Sequence, residues 1–537
     1  MKHFISTIIT ILVTSLSADA GNFGRITNDR FWECTDGTPI YSQGGGIFRF
    51  TDPDSGKERY YWYGAFYREA EQYRDDPSET IEQNHFEAVT CYVSDNLTDW
   101  SPLPYVLTKD GIADSAPVGW VGRLGVAYLA DAKMYVLMVQ HNSGVLVATS
   151  DSPAGPFVRS HEIDMTSRIG TPNTGDQTVF IDYDTGIPYL IYSYGRGRNR
   201  QYVSRIGMKD GRPDLLDCVQ VCKGASREGN CMFKHAGKYY MVASNIYGWD
   251  GSLTYYISAD DIYGPYTPVN DMQVMEGSRD DYSHVSQTGF FYTVNGSEQS
   301  TVLFCGDRWA EFAGNGLGYN QWMPVSFSGD TPYLNSLHSW ELDSDTGRWR
   351  VSADNNYVKN GSFEADRRTV PLSVKPRQAE LTGWTTEVIS GNHVEIDNPD
   401  SPQLNYFNTH DDRKIVIGEK SLNISDNIPF ERIITQTIAS DGYVTLPDGQ
   451  YTLTAMTKCT PGFSRLTMYA ESGADKTGAD LNASPDGSWH KITLQNVNVS
   501  GGKVTIGFSA AGDAGASCQI DDVTLVMSDS NASAPSR

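Results

Sequence analysis

The chain has 537 residues, with 66 Asp+Glu against 42 Lys+Arg, a formal charge of −24. Such a surface excludes nucleic-acid backbones and anionic membranes as partners, because both repel it. An apolar fraction of 39% with 12% aromatics excludes a disordered chain, and at roughly 100–200 residues per domain the length implies two to four domains, or one large repeat with an appendage.

Residues 1–20 read as a secretory signal peptide. Lys2 and His3 precede an uncharged, mostly apolar stretch from Phe4 to Ala18, and Ala18-Asp19-Ala20 offers a small-residue cleavage site before Gly21. The apolar run is shorter than the ~20 residues that a membrane span needs. The protein is expected to be secreted, to the periplasm or the exterior, without membrane insertion and as a monomer.

Residues 21–351 are dense in Tyr, Trp and Phe, and they repeat. Aromatic-rich strand pairs recur at 46–50 with 60–67, 125–129 with 134–140, 177–182 with 188–194, 230–234 with 238–245, and 287–293 with 300–306. Turn signals such as Asp184-Thr185-Gly186 separate the members of a pair. Helical periodicity is nearly absent. Sheet units of this size repeated in series predict an all-β fold, a five-bladed β-propeller.

Residues 356–527 change texture to Thr, Ser, Val and Asn, with alternating segments such as 450–456 and 520–526. They predict a β-sandwich of jelly-roll type, a carbohydrate-binding-like module. Residues 528–537 read as a disordered tail. The eight cysteines are dispersed, and no second close pair joins Cys218 and Cys222 to make a zinc site. Dispersed cysteines in so large a chain read as small buried hydrophobes, with Cys459–Cys518 the one pairing considered as a local bridge.

Three positions carry chemistry. Glu228, in Ser226-Arg227-Glu228-Gly229-Asn230, stands where the fourth inner strand begins, so its carboxylate faces the propeller axis. Partial burial there would raise its pKa, as a general acid requires. Asp176, in Gly175-Asp176-Gln177, holds the equivalent place one blade earlier, and Gln287 one blade later. A second carboxylate can tune the first, and an amide can orient a hydroxyl or a water. Trp62, Tyr63, Trp120, Trp249, Trp309 and Trp322 are candidate platforms for the C–H face of a sugar. Glu228 and Asp176 each also have a plain structural role open to them, an ion pair with Arg227 for the first and a turn cap for the second. No phosphate loop, H-E-x-x-H or G-x-S-x-G motif is present.

Taken together, these phrases resemble glycoside hydrolase family 43, a five-bladed propeller family, and most of all its exo-β-1,3-galactanase-like branch. The resemblance runs from about Tyr41 to Leu342. It rests on Gly44-Gly45-Gly46 with Tyr60-Tyr61-Trp62-Tyr63-Gly64, Gly175-Asp176-Gln177, Arg227-Glu228, Gly248-Trp249, Ser286-Gln287, Gly306-Asp307-Arg308-Trp309 and Gln321-Trp322-Met323-Pro324. It implies Glu228 as general acid, Asp176 as its pKa modulator and Gln287 near the attacking water of an inverting reaction. Gln43, Tyr63, Arg123, His141, Trp249 and Trp309 are the implied substrate contacts.

The chain departs from that pattern in three places. Gln43 stands where the wider family has an Asp base and the branch often a His. Ala65 and Gly122-Arg123-Leu124 replace two acidic sugar contacts, for which Glu69 or Glu87 are the candidate substitutes. The expected activity is release of a terminal sugar, a β-linked galactose, from plant-type galactan or arabinogalactan. An arabinofuranosidase or xylosidase of the same family and a non-catalytic glycan-binding propeller are the alternatives. Catalysis is expected to need no metal or cofactor; Asp521, Asp522 and Glu364 are candidate ligands of a structural Ca²⁺ in the C-terminal module, with surface carboxylates the plainer reading.

Overall fold

The computed structural model describes residues 21–112, 120–142, 144–309, 318–366, 381–396, 398–484 and 486–528. The expected signal peptide and nearly all of the expected disordered tail lie outside the described residues. The architecture is all-β. Five sheets are each built from strands consecutive in the chain. Their innermost strands are Gln43–Thr51, Val121–Leu129, Thr174–Asp182, Glu228–His235 and Gln287–Asn295, and each touches the next until the last returns to the first. This closed ring is the propeller that the repeats predict. Each inner strand pairs antiparallel with the aromatic-rich strand following it, as Gln43–Thr51 does with Glu58–Tyr67.

The aromatic richness has a packing reason. Blades lie face to face, so both faces of most strands are buried, and large flat side chains fill the wedge between neighbouring sheets. Trp62 and Trp322 are fully buried with ring centroids 4.8 Å apart, one from the first blade and one from the fifth. They tie the two ends of the ring together. A three-stranded sheet does the same from outside: Gly24–Thr27 pairs with Ser339–Leu342, which pairs with Trp349–Val351. Beside it the buried Asn28 donates to the carbonyls of Trp322 and Leu337 at 2.9 and 2.8 Å.

The C-terminal region is a sandwich of two five-stranded antiparallel sheets between Thr385 and Met527. Its strands alternate in burial, as in Gly449–Cys459, where every second side chain enters the core. A disulfide joins Cys459 to Cys518 on paired strands; the remaining six cysteines are free, and all but Cys218 are buried. The sandwich rests on the propeller through Tyr333 against Tyr443, Lys359 Nζ on the Ser336 carbonyl, and an apolar contact of Leu253, Tyr282 and Ala365. Among the described residues, no helix is long and apolar enough to cross a membrane.

Candidate active site

Each of the five inner strands begins with the same irregularity. One extra residue is inserted against the neighbouring strand, between Gln43 and Gly46, Val121 and Leu124, Thr174 and Gln177, Glu228 and Cys231, and Thr288 and Phe290. Such a bulge bends the strand and re-aims the side chains around it. A glycine sits at every one. At Gly229 φ is +63°, and an added Cβ would stand 2.5 Å from the Thr288 carbonyl oxygen. At Gly45 the same atom would fall 1.7 Å from the Tyr63 carbonyl oxygen. The bulges deliver Gln43, Arg123, Asp176, Glu228 and Gln287 to one cavity of about 260 Å³ at the end of the ring.

Arg123 organises the floor of this cavity. Its buried guanidinium donates to Asp307 Oδ2 at 2.9 Å and to Gln287 Oε1 at 2.8 Å, and its Nε lies 3.4 Å from Asp176 Oδ2. Gln287 Oε1 also accepts from Trp309 Nε1 at 3.0 Å. Both lone pairs of that amide oxygen are taken, so the amide nitrogen faces Glu228 and donates to its Oε1 at 2.9 Å. The second Glu228 oxygen lies 3.5 Å from Arg198 Nε.

The two carboxyls are driven apart electrostatically. Burial pushes Glu228 up, the Asp176 charge adds to the push, and Arg198, Arg123 and the Gln287 hydrogen bond only partly oppose them, leaving it at about 8. Burial acts on Asp176 in the same direction, but Arg123, Arg198 and the Gly229 N–H at 2.8 Å outweigh it and hold this carboxyl below its ordinary value. At neutral pH the pair is one protonated acid beside one carboxylate, the division of labour used in glycosidic acid catalysis. Asp307 is also raised by burial, against the pull of Arg123. Among the described residues lining the cavity, the acidic ones are Asp176 and Glu228.

Of the sequence-predicted residues, Glu228, Asp176, Gln287, Gln43, Arg123, Trp249 and Trp309 meet here. Trp249 and Trp309 form an edge-to-face pair with centroids 5.2 Å apart. Gln43 donates to the Arg308 carbonyl at 3.2 Å, and its buried Oε1 has no hydrogen-bond partner among the described residues. Two expected contacts lie elsewhere. Tyr63 is fully buried in the apolar core and gives its hydroxyl to the Pro153 carbonyl at 2.5 Å. His141, at the end of its strand, is turned to Glu162 at 2.8 Å and does not line the cavity. Trp62 and Trp322 are core as well, whereas Trp120 does line the cavity.

Neither Glu69 nor Glu87 replaces the missing acids: the first is engaged by His85 and the second by Lys109. Arg198 was not anticipated. It comes from the turn between the second and third strands of the third blade, at φ +51°, and the only hint of it is the glycine- and arginine-rich run Gly195-Arg196-Gly197-Arg198.

One group of potential metal ligands converges among the described residues, Asp29, His284 and His338. It is already satisfied: Asp29 accepts from Arg308 and Gln321 on one oxygen and faces both histidines with the other. The guanidinium disfavours a cation there. In the sandwich, Asp522 and Glu364 both raise the Asp521 carboxyl, after burial, but Glu364 is held by Lys420, with its backbone N–H at 2.7 Å and Nζ at 3.5 Å. The charge beside Glu364 is therefore a lysine.

Residues 57–318 match the family described as glycosyl hydrolases family 43. No curated protein sequence matches the chain. Similar solved structures include an exo-β-1,3-galactanase from Phanerochaete chrysosporium with β-1,3-galactotriose, 20% identical, covering 94% of this chain and all of that one with a TM-score of 0.52. An exo-β-1,3-galactanase from Clostridium thermocellum is 19% identical over 94% of this chain and all of that one, again with a TM-score of 0.52. These likenesses establish the shared fold, and the family match establishes the chemistry. The propeller belongs to glycosyl hydrolases family 43, and the chain is a glycoside hydrolase.

Proposed function

We propose that this is a secreted, exo-acting, inverting glycosidase that releases a terminal β-linked galactose from galactan or arabinogalactan. One observation carries the reading: a buried carboxylic acid raised to about 8, and so protonated at neutral pH, beside an ionised carboxylate, both lining one small cavity. Glu228 donates its proton to the glycosidic oxygen as the bond to the anomeric carbon breaks. Asp176 stays charged, which keeps the proton on Glu228 until that moment and favours the positive charge developing on the sugar ring. Gln287 holds the acid in position. A water attacks the anomeric carbon from the opposite face and gives up its surplus proton to bulk solvent, from which Glu228 is later reprotonated, and the product has inverted configuration.

Both acceptor sites of Gln287 Oε1 are used by Arg123 and Trp309, and Gln43 lines the same cavity as the second amide near that water. The galactanase neighbours, one of them solved with β-1,3-galactotriose, support a galactooligosaccharide substrate.

Among the described residues that line the cavity the carboxyls are Asp176 and Glu228, with Gln43 at the entry of the first inner strand, and this favours one other reading, a propeller that binds glycan without cleaving it. The deciding experiment is product release from galactan, arabinogalactan and arabinan, wild type against Glu228→Gln, with proton NMR of the fresh product. An α-anomer released from a β-linked galactan, and lost in the variant, supports the proposal. Binding without release from any polysaccharide sinks it in favour of the binding propeller.

A further inference from the structure

A second cavity, of about 300 Å³, opens beside the first. Trp249 and Trp309 line both. Its far wall is not propeller but sandwich: the loop 414–420, between the short helix His410–Arg413 and the strand Ser421–Ser425. The two cavities, at about 300 and 260 Å³, lie at and just below the low end of the roughly 300–1,000 Å³ usual for small-molecule sites, so each suits a sugar-sized group.

The loop is built rather than draped. Its base is a capping box, with Thr409 and Asp412 each accepting the other's backbone N–H. Val416 is buried as an anchor, and Lys420 N–H is fixed by Glu364 at 2.7 Å. The Asn408 side chain spans the loop to the Lys420 carbonyl at 3.0 Å. Gly418 has φ +83°, and a Cβ there would stand 2.5 Å from the Glu364 carboxylate. With Val416 turned inward, Ile415 and Ile417 remain 52% and 46% exposed at the cavity. They give an apolar surface opposite the indoles.

The charge of this cavity runs against that of the molecule. In a chain of net charge −24, its lining brings Arg30, Arg74, Arg413 and Lys414 together against Asp250 and Glu419. Within the same lining Arg308 pairs with Asp29 and Lys420 with Glu364. Arg74 pairs with Asp75, and Lys414 lies 3.8 Å from Asp411, but those acids are 70% and 93% exposed. Such pairs are worth little in water and are readily given up to a better-placed anion.

We infer that this interdomain cavity binds the leaving-group side of the glycan and selects branches carrying a carboxylate, that is, uronic acid units, with the sandwich loop supplying part of the selectivity. The inference rests on the hydrolase reading above and extends it. A chain whose terminal sugar occupies the first cavity continues past the Trp249–Trp309 pair into the second. There a planar carboxylate meets guanidinium donors in the geometry they favour.

The experiment uses two oligosaccharides of equal length, ending in the same cleavable β-galactose, one with a uronic acid and one with its neutral counterpart on the leaving-group side. kcat and KM are measured for the wild type, Lys414→Glu and Arg74→Gln. Lys414 is exposed, so its substitution tests the idea without threatening the fold. Expected is a lower KM for the acidic substrate in the wild type, and an about tenfold rise of that KM, the worth of one charged contact, in Lys414→Glu. Equal changes on both substrates, or none on either, overturn the inference. If the wild type cleaves neither, the hydrolase reading falls, and calorimetric titration of the same pair still decides this one, equal affinities overturning it.

Discussion

Gln287 Nε2 donates to Glu228 Oε1 at 2.9 Å, while the oxygen of the same amide accepts from Arg123 and Trp309. An amide whose oxygen is pinned by two donors cannot flip, so the orientation of the acid is set three residues deep. Gln287→Leu is expected to lower kcat by about 10²-fold, in the range for disturbed acid–base positioning. It removes one of the contacts that lower the Glu228 pKa, so the alkaline edge of kcat moves to higher pH; a drop in kcat with an unmoved edge would contradict this role.

Glu228→Gln keeps the shape of the site and removes its proton. A loss of about 10²–10⁴-fold in kcat on natural glycan is expected, with affinity retained by calorimetry. A variant with near wild-type turnover would mean that another group delivers the proton.

The pH dependence follows from the signs of the neighbours. Glu228 must be protonated to act, so activity falls as pH rises through about 8. Asp176 raises that value and Arg198 lowers it. Asp176→Asn therefore shifts the alkaline edge down and Arg198→Gln shifts it up; kcat/KM profiles from pH 5 to 10 read both, and shifts in one common direction would refute the assignment.

The same shift is a stability statement. A carboxyl raised from 4.5 to about 8 favours the fold fully at pH below 4.5 and loses that contribution as pH rises through about 8. Glu228→Gln is expected to melt a few degrees above the wild type at pH 9, and to lose that advantage at pH 4. Calorimetry at the two pH values checks it.

The two indoles should separate kinetically. Trp249→Ala removes a platform and raises KM. Trp309→Ala removes a platform and also the donor that pins Gln287, so kcat falls as well. Steady-state kinetics on one oligosaccharide distinguishes the pair.

The Cys459–Cys518 bridge closes a loop with a sequence separation of 59. The paired Ser variant is expected to cost the sandwich about 2–4 kcal/mol, read in chemical denaturation, with the propeller transition unchanged.

Blade-scale features were legible because repetition amplifies them. Five turn-punctuated strand pairs placed Asp176, Glu228 and Gln287 at equivalent points, and the structure brings them together. Tyr63 and His141 were misplaced for a reason of parity. In Tyr60-Tyr61-Trp62-Tyr63 every residue is apolar, so alternation cannot say which face points where, and burial on both faces removes the contrast. His141 has a partner in Glu162 on the outermost strand of its own blade, a pairing that no local spacing encodes. Arg198 acts on Glu228 across a blade boundary from a turn, beyond any sequence window. Arg123 looked like a lost acid; only in three dimensions does it become the hub joining three blades.

The outer sheet that pairs Gly24–Thr27 with Ser339–Leu342 has a bearing on how the protein is made. The first strand leaves the ribosome with nothing to pair to until more than three hundred residues later. Until then the first blade has one open flank, and Trp62 lacks the Trp322 it will stack against. The aromatic-rich ring stays sticky for the whole of its synthesis and then closes in one late event. Any factor that shields the nascent ring must therefore act on a horseshoe of unfinished blades rather than on a short stretch of chain.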